Sequence, residues 1–161
     1  MLLLSRVRIF RFAILFIGTG AFSGYVPGFP GTVGSLVGLV LIWFLPLNSI
    51  FSYSIFLIIL TLTAVLCANA LEKEWAVKDP PRVVVDEIVG IGFSLIAAPK
   101  SIPVFLLAFL IFRIFDIKKP PPCRQVEKIA GGWGVVLDDV IAGIYTLLVI
   151  QVMLVLKNIG L

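Results

Sequence analysis

The sequence contains no histidine. That removes phosphohistidine intermediates, Ser-His-Asp triads and the commonest zinc ligand in one step. Cysteine is nearly as scarce. Cys67 and Cys123 have no metal-binding spacing and are too few for a disulfide framework. Cys67 sits inside an apolar run, where packing accounts for it. Cys123 runs straight into Arg124, without the loop of backbone donors that a thiol phosphatase needs. Charge is also sparse, at 14% of residues and a formal net of +4, so no nucleic-acid partner is expected.

Hydrocarbon fills the space instead. Of 161 residues, 60% are hydrophobic, against about 45–50% in soluble domains, and the mean hydropathy is +1.15. The length suits one domain over residues 1–161. The composition places that domain in a membrane. Met1 to Ile17 has some features of a signal peptide, but after Arg11 only Phe12 to Ile17 is free of polar groups. An apolar core of roughly 7–15 residues is needed. An interfacial helix with Arg6, Arg8 and Arg11 at the headgroups fits better.

Gly18 to Gly31 is too rich in glycine and proline for a regular helix. Pro30-Gly31 marks a break, and a helix is expected from about Thr32, with Thr32 as its N-cap. Val33–Leu45 is apolar, Pro46-Leu47-Asn48-Ser49 is an uncharged turn, and Ile50–Ala70 is the best crossing candidate, having about the 20 residues a span requires. Glu72–Arg82 is polar. Ile88–Ala98 and Ile102–Phe112 are apolar and are separated by Pro99-Lys100-Ser101. Val135–Leu156 is long enough to cross, with Asp138 and Asp139 near its start. Val33–Leu45 and Ile88–Ala98 are short for a core of about 30 Å, so they tilt, borrow a turn or stop partway. The expected fold is all-α: a polytopic integral membrane protein of about five membrane helices, some short, plus the N-terminal interfacial helix. If each run crosses once, nearly every charge falls on one face. The lysine and arginine bias makes that face cytoplasmic.

Three charged or glycine-rich segments meet this face. Phe29-Pro30-Gly31-Thr32-Val33-Gly34-Ser35 places backbone N–H groups and two hydroxyls at a helix start, which suits a phosphate. A capped helix packing through small residues would look the same. Asp86-Glu87 sets adjacent carboxylates at the mouth of an apolar helix. A cation such as Mg²⁺ would relieve their repulsion, although an N-cap and a dipole partner would also account for them. In the third segment, Arg113 and Asp116 share a face if the helix continues that far, and Asp138-Asp139 lie inside an apolar run. A salt-bridge network drawing on Arg113, Lys118, Lys119 and Arg124 explains some of these charges, but not the depth of Asp138 and Asp139. Gly143, four residues past Asp139, leaves room for a close neighbour. An anion cradle, carboxylates for Mg²⁺ and two phosphate-side cations, Arg113 and Lys119, suit phosphoryl chemistry.

Three blocks carry a resemblance: Pro30-Gly31-Thr32-Val33-Gly34-Ser35-Leu36, Val85-Asp86-Glu87-Ile88-Val89-Gly90, and Phe112 to Pro120 continuing through Gly131-Gly132-Trp133-Gly134 to Asp138-Asp139-Val140-Ile141-Ala142-Gly143. In this order, over most of the chain, they resemble the phosphatidylglycerophosphatase A family. The resemblance implies an all-helical, multi-pass bacterial inner-membrane enzyme with its site on the cytoplasmic face. It would hydrolyse phosphatidylglycerophosphate to phosphatidylglycerol and inorganic phosphate in phospholipid biosynthesis, with Mg²⁺ as cofactor and a membrane phospholipid as substrate. At matching positions it implies Asp86, Glu87, Asp116, Asp138 and Asp139 as the metal-side acids, with Asp86, Glu87 and Asp139 nearest the chemistry. Thr32, Arg113 and Lys119 fall on the phosphate side, joined there by Ser35 from the reading of the first segment. Asp79 and Glu127 are second-tier acids, and Gly24 to Gly28 has no assigned role. Other readings are a phosphatase for a different membrane lipid phosphate, a small carboxylate-based ion transporter, and a non-catalytic lipid-binding subunit. The transporter would want carboxylates midway through Ile50–Ala70 or late in Val135–Leu156, where there are none.

Overall fold

The computed structural model describes residues 2–47 and 49–159, with side chains from residue 8 onward. Among the described residues the chain is entirely helical, with no strand. The helices are α1 (Leu2–Gly18), α2 (Pro30–Phe44), α3 (Ile50–Trp75), α4 (Val85–Ser94), α5 (Ile102–Lys118), α6 (Cys123–Val126) and α7 (Gly132–Asn158), with a 3-10 turn at Ser23–Tyr25. The expected headgroup position of Arg6 and the turn at Asn48 fall outside the described residues.

Two helices, α3 and α7, are long and apolar enough to cross a membrane. Both turn unpaired aliphatic side chains outward, including Ile58, Ile59, Leu62 and Leu66 on α3 and Leu148, Val152 and Val155 on α7. In water such faces would be costly, and against lipid tails they are not. The middle of the bundle is α4. Eight of its ten residues are buried, enclosed by α2, α3, α5 and α7. At about 1.5 Å per residue α4 reaches only about 15 Å, half of a bilayer core. It is too short to span such a core by itself.

A helix ending inside a bundle leaves carbonyls without partners, and neighbouring side chains supply them. Tyr53 on α3 donates its hydroxyl to the Gly92 carbonyl at 2.8 Å, and Gln151 on α7 donates Nε2 to the Ile96 carbonyl at 2.9 Å. Lys100 does the same for α2, donating Nζ to the Trp43 and Leu45 carbonyls.

Two boundaries differ from expectation. The second helix starts at Pro30, with Phe29 at the N-cap position, so Thr32 is its third residue and not its cap. Proline costs nothing at a first helical position, because its missing N–H would have no partner there. Likewise α3 runs on through Glu72, Lys73 and Glu74 to Trp75. Its polar end is still helix, and Arg11 of α1 pairs with Glu74 there at 2.6 Å.

The most extensive packing between two helices is that of α4 and α7, and there the backbones come close. A Cβ on Gly143 would collide with the Gly90 carbonyl, and a Cβ on Gly90 would meet the Phe112 ring and the Asp139 carbonyl. The two backbones touch because neither residue has a side chain. The space Gly143 was expected to leave for a neighbour is taken by α4. Alanine in place of glycine usually favours a helix by about 1 kcal/mol. Here overpacking, typically about 1–3 kcal/mol, opposes it. Gly143→Val is therefore expected to lower the Tm of the detergent-solubilised protein by several degrees. A variant melting with the wild type would show that this contact does not hold α4 and α7 together.

Candidate active site

The first turn of α4 follows directly on Val83 and Val84, both buried, so its two acids start below the surface. Asp86 and Glu87 occupy the second and third helical positions, where the positive end of the helix dipole favours carboxylates. Val84, not Asp86, stands at the N-cap position, so the alternative of Asp86 as a simple cap does not hold. Across the glycine contact, Asp139 projects from α7 and is only 3% exposed. Asp86, Glu87 and Asp139 each offer a carboxylate oxygen such that all three lie within 4.8 Å of one another.

These three are in a different state from the surrounding acids. Among the described residues, Asp116 pairs with Arg113 at 2.5 Å, while Asp138 and Glu127 share Lys119 at 2.7 and 3.1 Å. Among the described residues no ion pair reaches Asp86, Glu87 or Asp139; Asp86 Oδ1 and Glu87 Oε2 are buried without a hydrogen-bond partner, as is Asp138 Oδ1. A buried carboxylate without a compensating charge costs several kcal/mol. Three carboxyl groups without a cationic partner, with oxygens within 4.8 Å of one another, fit a divalent cation that prefers hard oxygen ligands, and Mg²⁺ is the plainest case. The salt-bridge alternative thus accounts for Arg113, Asp116, Lys119, Glu127 and Asp138, and leaves these three unexplained.

The cluster opens into a cleft of about 440 Å³. One wall is Gly28, Phe29, Pro30, Gly31 and Thr32 at the start of α2, and the other is Arg113, Asp116, Ile117 and Lys119 at the end of α5. Asp79, Pro81, Val83, Val135 and Asp138 complete it. Gly31 brings α2 up to the acids, since a Cβ there would strike the Glu87 carboxylate and come within 3.1 Å of Arg113 Nη1. Lys119 caps α5 in the left-handed region at φ 45° and turns its ammonium into the cleft. Partial burial pulls down the pKa of Lys119, but Asp138 and Glu127 outweigh it, so the net shift is upward and the group stays cationic. Asp79 has its carboxyl pushed above the ordinary range by burial, with Lys119 opposing, and its N–H donates to Glu72 Oε1 at 2.8 Å.

The expected site residues thus divide. Asp79, Asp86, Glu87, Asp116, Asp138, Asp139, Thr32, Arg113 and Lys119 all line the cleft. Glu127 stands behind Lys119, which its longer side chain reaches. Ser35 is not at the cleft. It is fully buried one turn further into α2, with Oγ donating to the Gly31 carbonyl at 2.8 Å. Ser35 lies only about 60° around the helix from Thr32, but one turn deeper, where the bundle is closed and its hydroxyl is taken up by its own helix. Gly28, which has no role in the sequence pattern, and Phe29, expected only as part of the segment that opens α2, also line the cleft. The loop before α2 carries no periodicity that would have marked them.

The family model for phosphatidylglycerophosphatase A matches residues 16–154. A Bacteroides thetaiotaomicron protein provisionally described as a phosphatidylinositol-3-phosphatase is 41% identical over 88% of this chain and 93% of its own. Haemophilus influenzae phosphatidylglycerophosphatase A is 40% identical over 85% of each chain. Escherichia coli phosphatidylglycerophosphatase A is 35% identical over 81% of this chain and 76% of its own. No solved structure matches significantly. A helical bundle with three unpaired carboxylates beside two cations, matched along most of its length by this family, has one reading: the chain belongs to the phosphatidylglycerophosphatase A family of phosphatases.

Proposed function

We propose that the chain is a Mg²⁺-dependent lipid phosphatase that hydrolyses phosphatidylglycerophosphate to phosphatidylglycerol and inorganic phosphate, a step of phospholipid biosynthesis. The observation that carries this is the convergence of Asp86, Glu87 and Asp139 within 4.8 Å, without a cation, in the cleft that Arg113 and Lys119 also line. The family match and the names of the Haemophilus influenzae and Escherichia coli relatives support the substrate.

In this reading Asp86, Glu87 and Asp139 would hold Mg²⁺, with Asp138 and Asp116 beside them. Bound there, it would supply charge neutralisation for phosphate oxygens and ease deprotonation of the attacking water. Arg113 and Lys119 orient the phosphate from the α5 side. The start of α2 offers the Thr32 hydroxyl and backbone N–H groups from the other. Glu87, which has two carboxyl oxygens, would keep one for the proton that the attacking water gives up. That proton returns to the glycerol oxygen as its bond to phosphorus breaks. No side-chain nucleophile is needed, and Cys123 is buried away from the cleft walls.

The membrane arrangement belongs to the same proposal. One domain sits in a bacterial inner membrane through about five membrane helices, α2, α3, α4, α5 and α7, of which α4 reaches only partway, with α1 lying at the interface. The charged ends of α3, α4, α5 and α7 then share the cytoplasmic face, where the substrate phosphate would be presented. The Bacteroides thetaiotaomicron relative favours a second reading, a phosphatase for another lipid phosphate, because its name points to a different headgroup.

Purified protein is expected to release phosphate from phosphatidylglycerophosphate micelles with Mg²⁺ and to stop with EDTA. Phosphatidic acid and phosphatidylinositol-3-phosphate should be cleaved at least about 10-fold more slowly, a difference of about 1.4 kcal/mol in transition-state binding. Comparable release from either would keep the phosphatase and discard the substrate. No release from any, by folded protein, would discard the activity. Asp139→Asn should cut kcat by about 100-fold or more, in line with the loss of a ligating or charge-stabilising group, and should still insert in membranes. Near-normal turnover in that variant would remove Asp139 from the mechanism.

A further inference from the structure

We infer that Asn69 of α3 is a positioning residue for the carboxylate cluster, acting through the first turn of α7. Helix α7 begins at Gly132 with Gly131 at its N-cap position, and Gly131 has no side chain with which to accept from the exposed N–H groups. Asn69 supplies the missing acceptor from a different helix. Its Oδ1 accepts from the Gly132 N–H at 2.7 Å. It must be the oxygen that faces Gly132, because the partner is a donor.

The surroundings are built around that bond. Gly131 is left-handed at φ 72°, and a Cβ there would land on Asn69 Oδ1. A Cβ on Gly132 would strike the Val65 carbonyl one turn earlier on α3 and come within 3.0 Å of the Asn69 N. So α7 touches backbone twice, on α3 at Gly132 and on α4 at Gly143. Asp138 and Asp139 lie between the two contacts. The second sets how close α7 comes to α4. The first, through Asn69, sets where α7 starts along its axis, and with it the height of Asp139 relative to Asp86 and Glu87. This gives the Gly131-Gly132 turn a role that the cleft lining does not. The inference deepens the metal reading above and rests on it.

The test is thermal unfolding of the full chain in detergent over a Mg²⁺ series, without substrate. Wild type should gain Tm with Mg²⁺. Asn69→Leu, which fills the same space without an acceptor, should move the midpoint of that gain to roughly 10-fold higher Mg²⁺, the scale of losing a group that orients a ligand. Asn69→Asp keeps an acceptor oxygen and should restore the wild-type midpoint. If Asn69→Leu does not fold, Asn69→Ser, too short to reach Gly132, takes its place with a shift of at least about 3-fold. Tyr53→Phe is the control. It loses one inter-helix hydrogen bond at the far end of α4, so it should lower the Mg²⁺-free Tm and leave the midpoint unmoved. A wild-type midpoint in the Leu or Ser variant, or an equal shift in Tyr53→Phe, overturns the role of Asn69. Absence of any Mg²⁺ response in wild type overturns the metal reading and this inference together, so the two failures are distinct.

Discussion

The backbone contact between Gly90 and Gly143 is the constraint on which the site depends. Asp86 lies four residues before Gly90, and Asp139 four residues before Gly143, about one helical turn in each case. Where α4 and α7 touch without side chains between them, the turns just before the crossing are also close. Their carboxylates must then face one another. A side chain at either glycine would push the helices apart and open the cluster. The same crossing seats Phe112 of α5 against Gly90, which ties the helix carrying Arg113 and Asp116 into one packing unit with the acids.

This arrangement runs against stability. Burial penalises charge, and like charges held within 4.8 Å penalise one another. The protein relieves the outer acids with its own cations, Arg113 for Asp116 and Lys119 for Asp138 and Glu127. Among the described residues no cationic side chain pairs with Asp86, Glu87 or Asp139. Local conflict of this kind, inside a fold that is otherwise consistent, is where function is expected to lie. The two cations also line the cleft themselves, beside the acids they pair with.

A half-length helix at the centre of the bundle makes the arrangement possible in a membrane. Lipid offers no hydrogen bonds, so a helix may end at depth only where protein satisfies its last carbonyls. Tyr53 and Gln151 do this below α4, and Lys100 does it for α2. The opposite end of α4 carries two acids into the cleft, enclosed by longer helices.

Composition alone pointed to a membrane protein, because 60% hydrophobic residues is well above the roughly 45–50% of soluble domains. Spacing determined which face of a helix many residues share, as with Arg113 and Asp116, since three residues bring side chains to one side whatever surrounds them. The three blocks identified the family, and the cleft gathers residues from all of them. The sequence could not say which acids would be neutralised internally, because Lys119 reaches Asp138 across nineteen positions and Glu127 across eight. Nor could it show that Ser35 turns inward, that α2 begins at Pro30, or that Asn69 meets Gly132. These were decided by which helices lie side by side. Contacts between residues far apart in the chain leave no periodicity behind, and only the packed bundle brings them together.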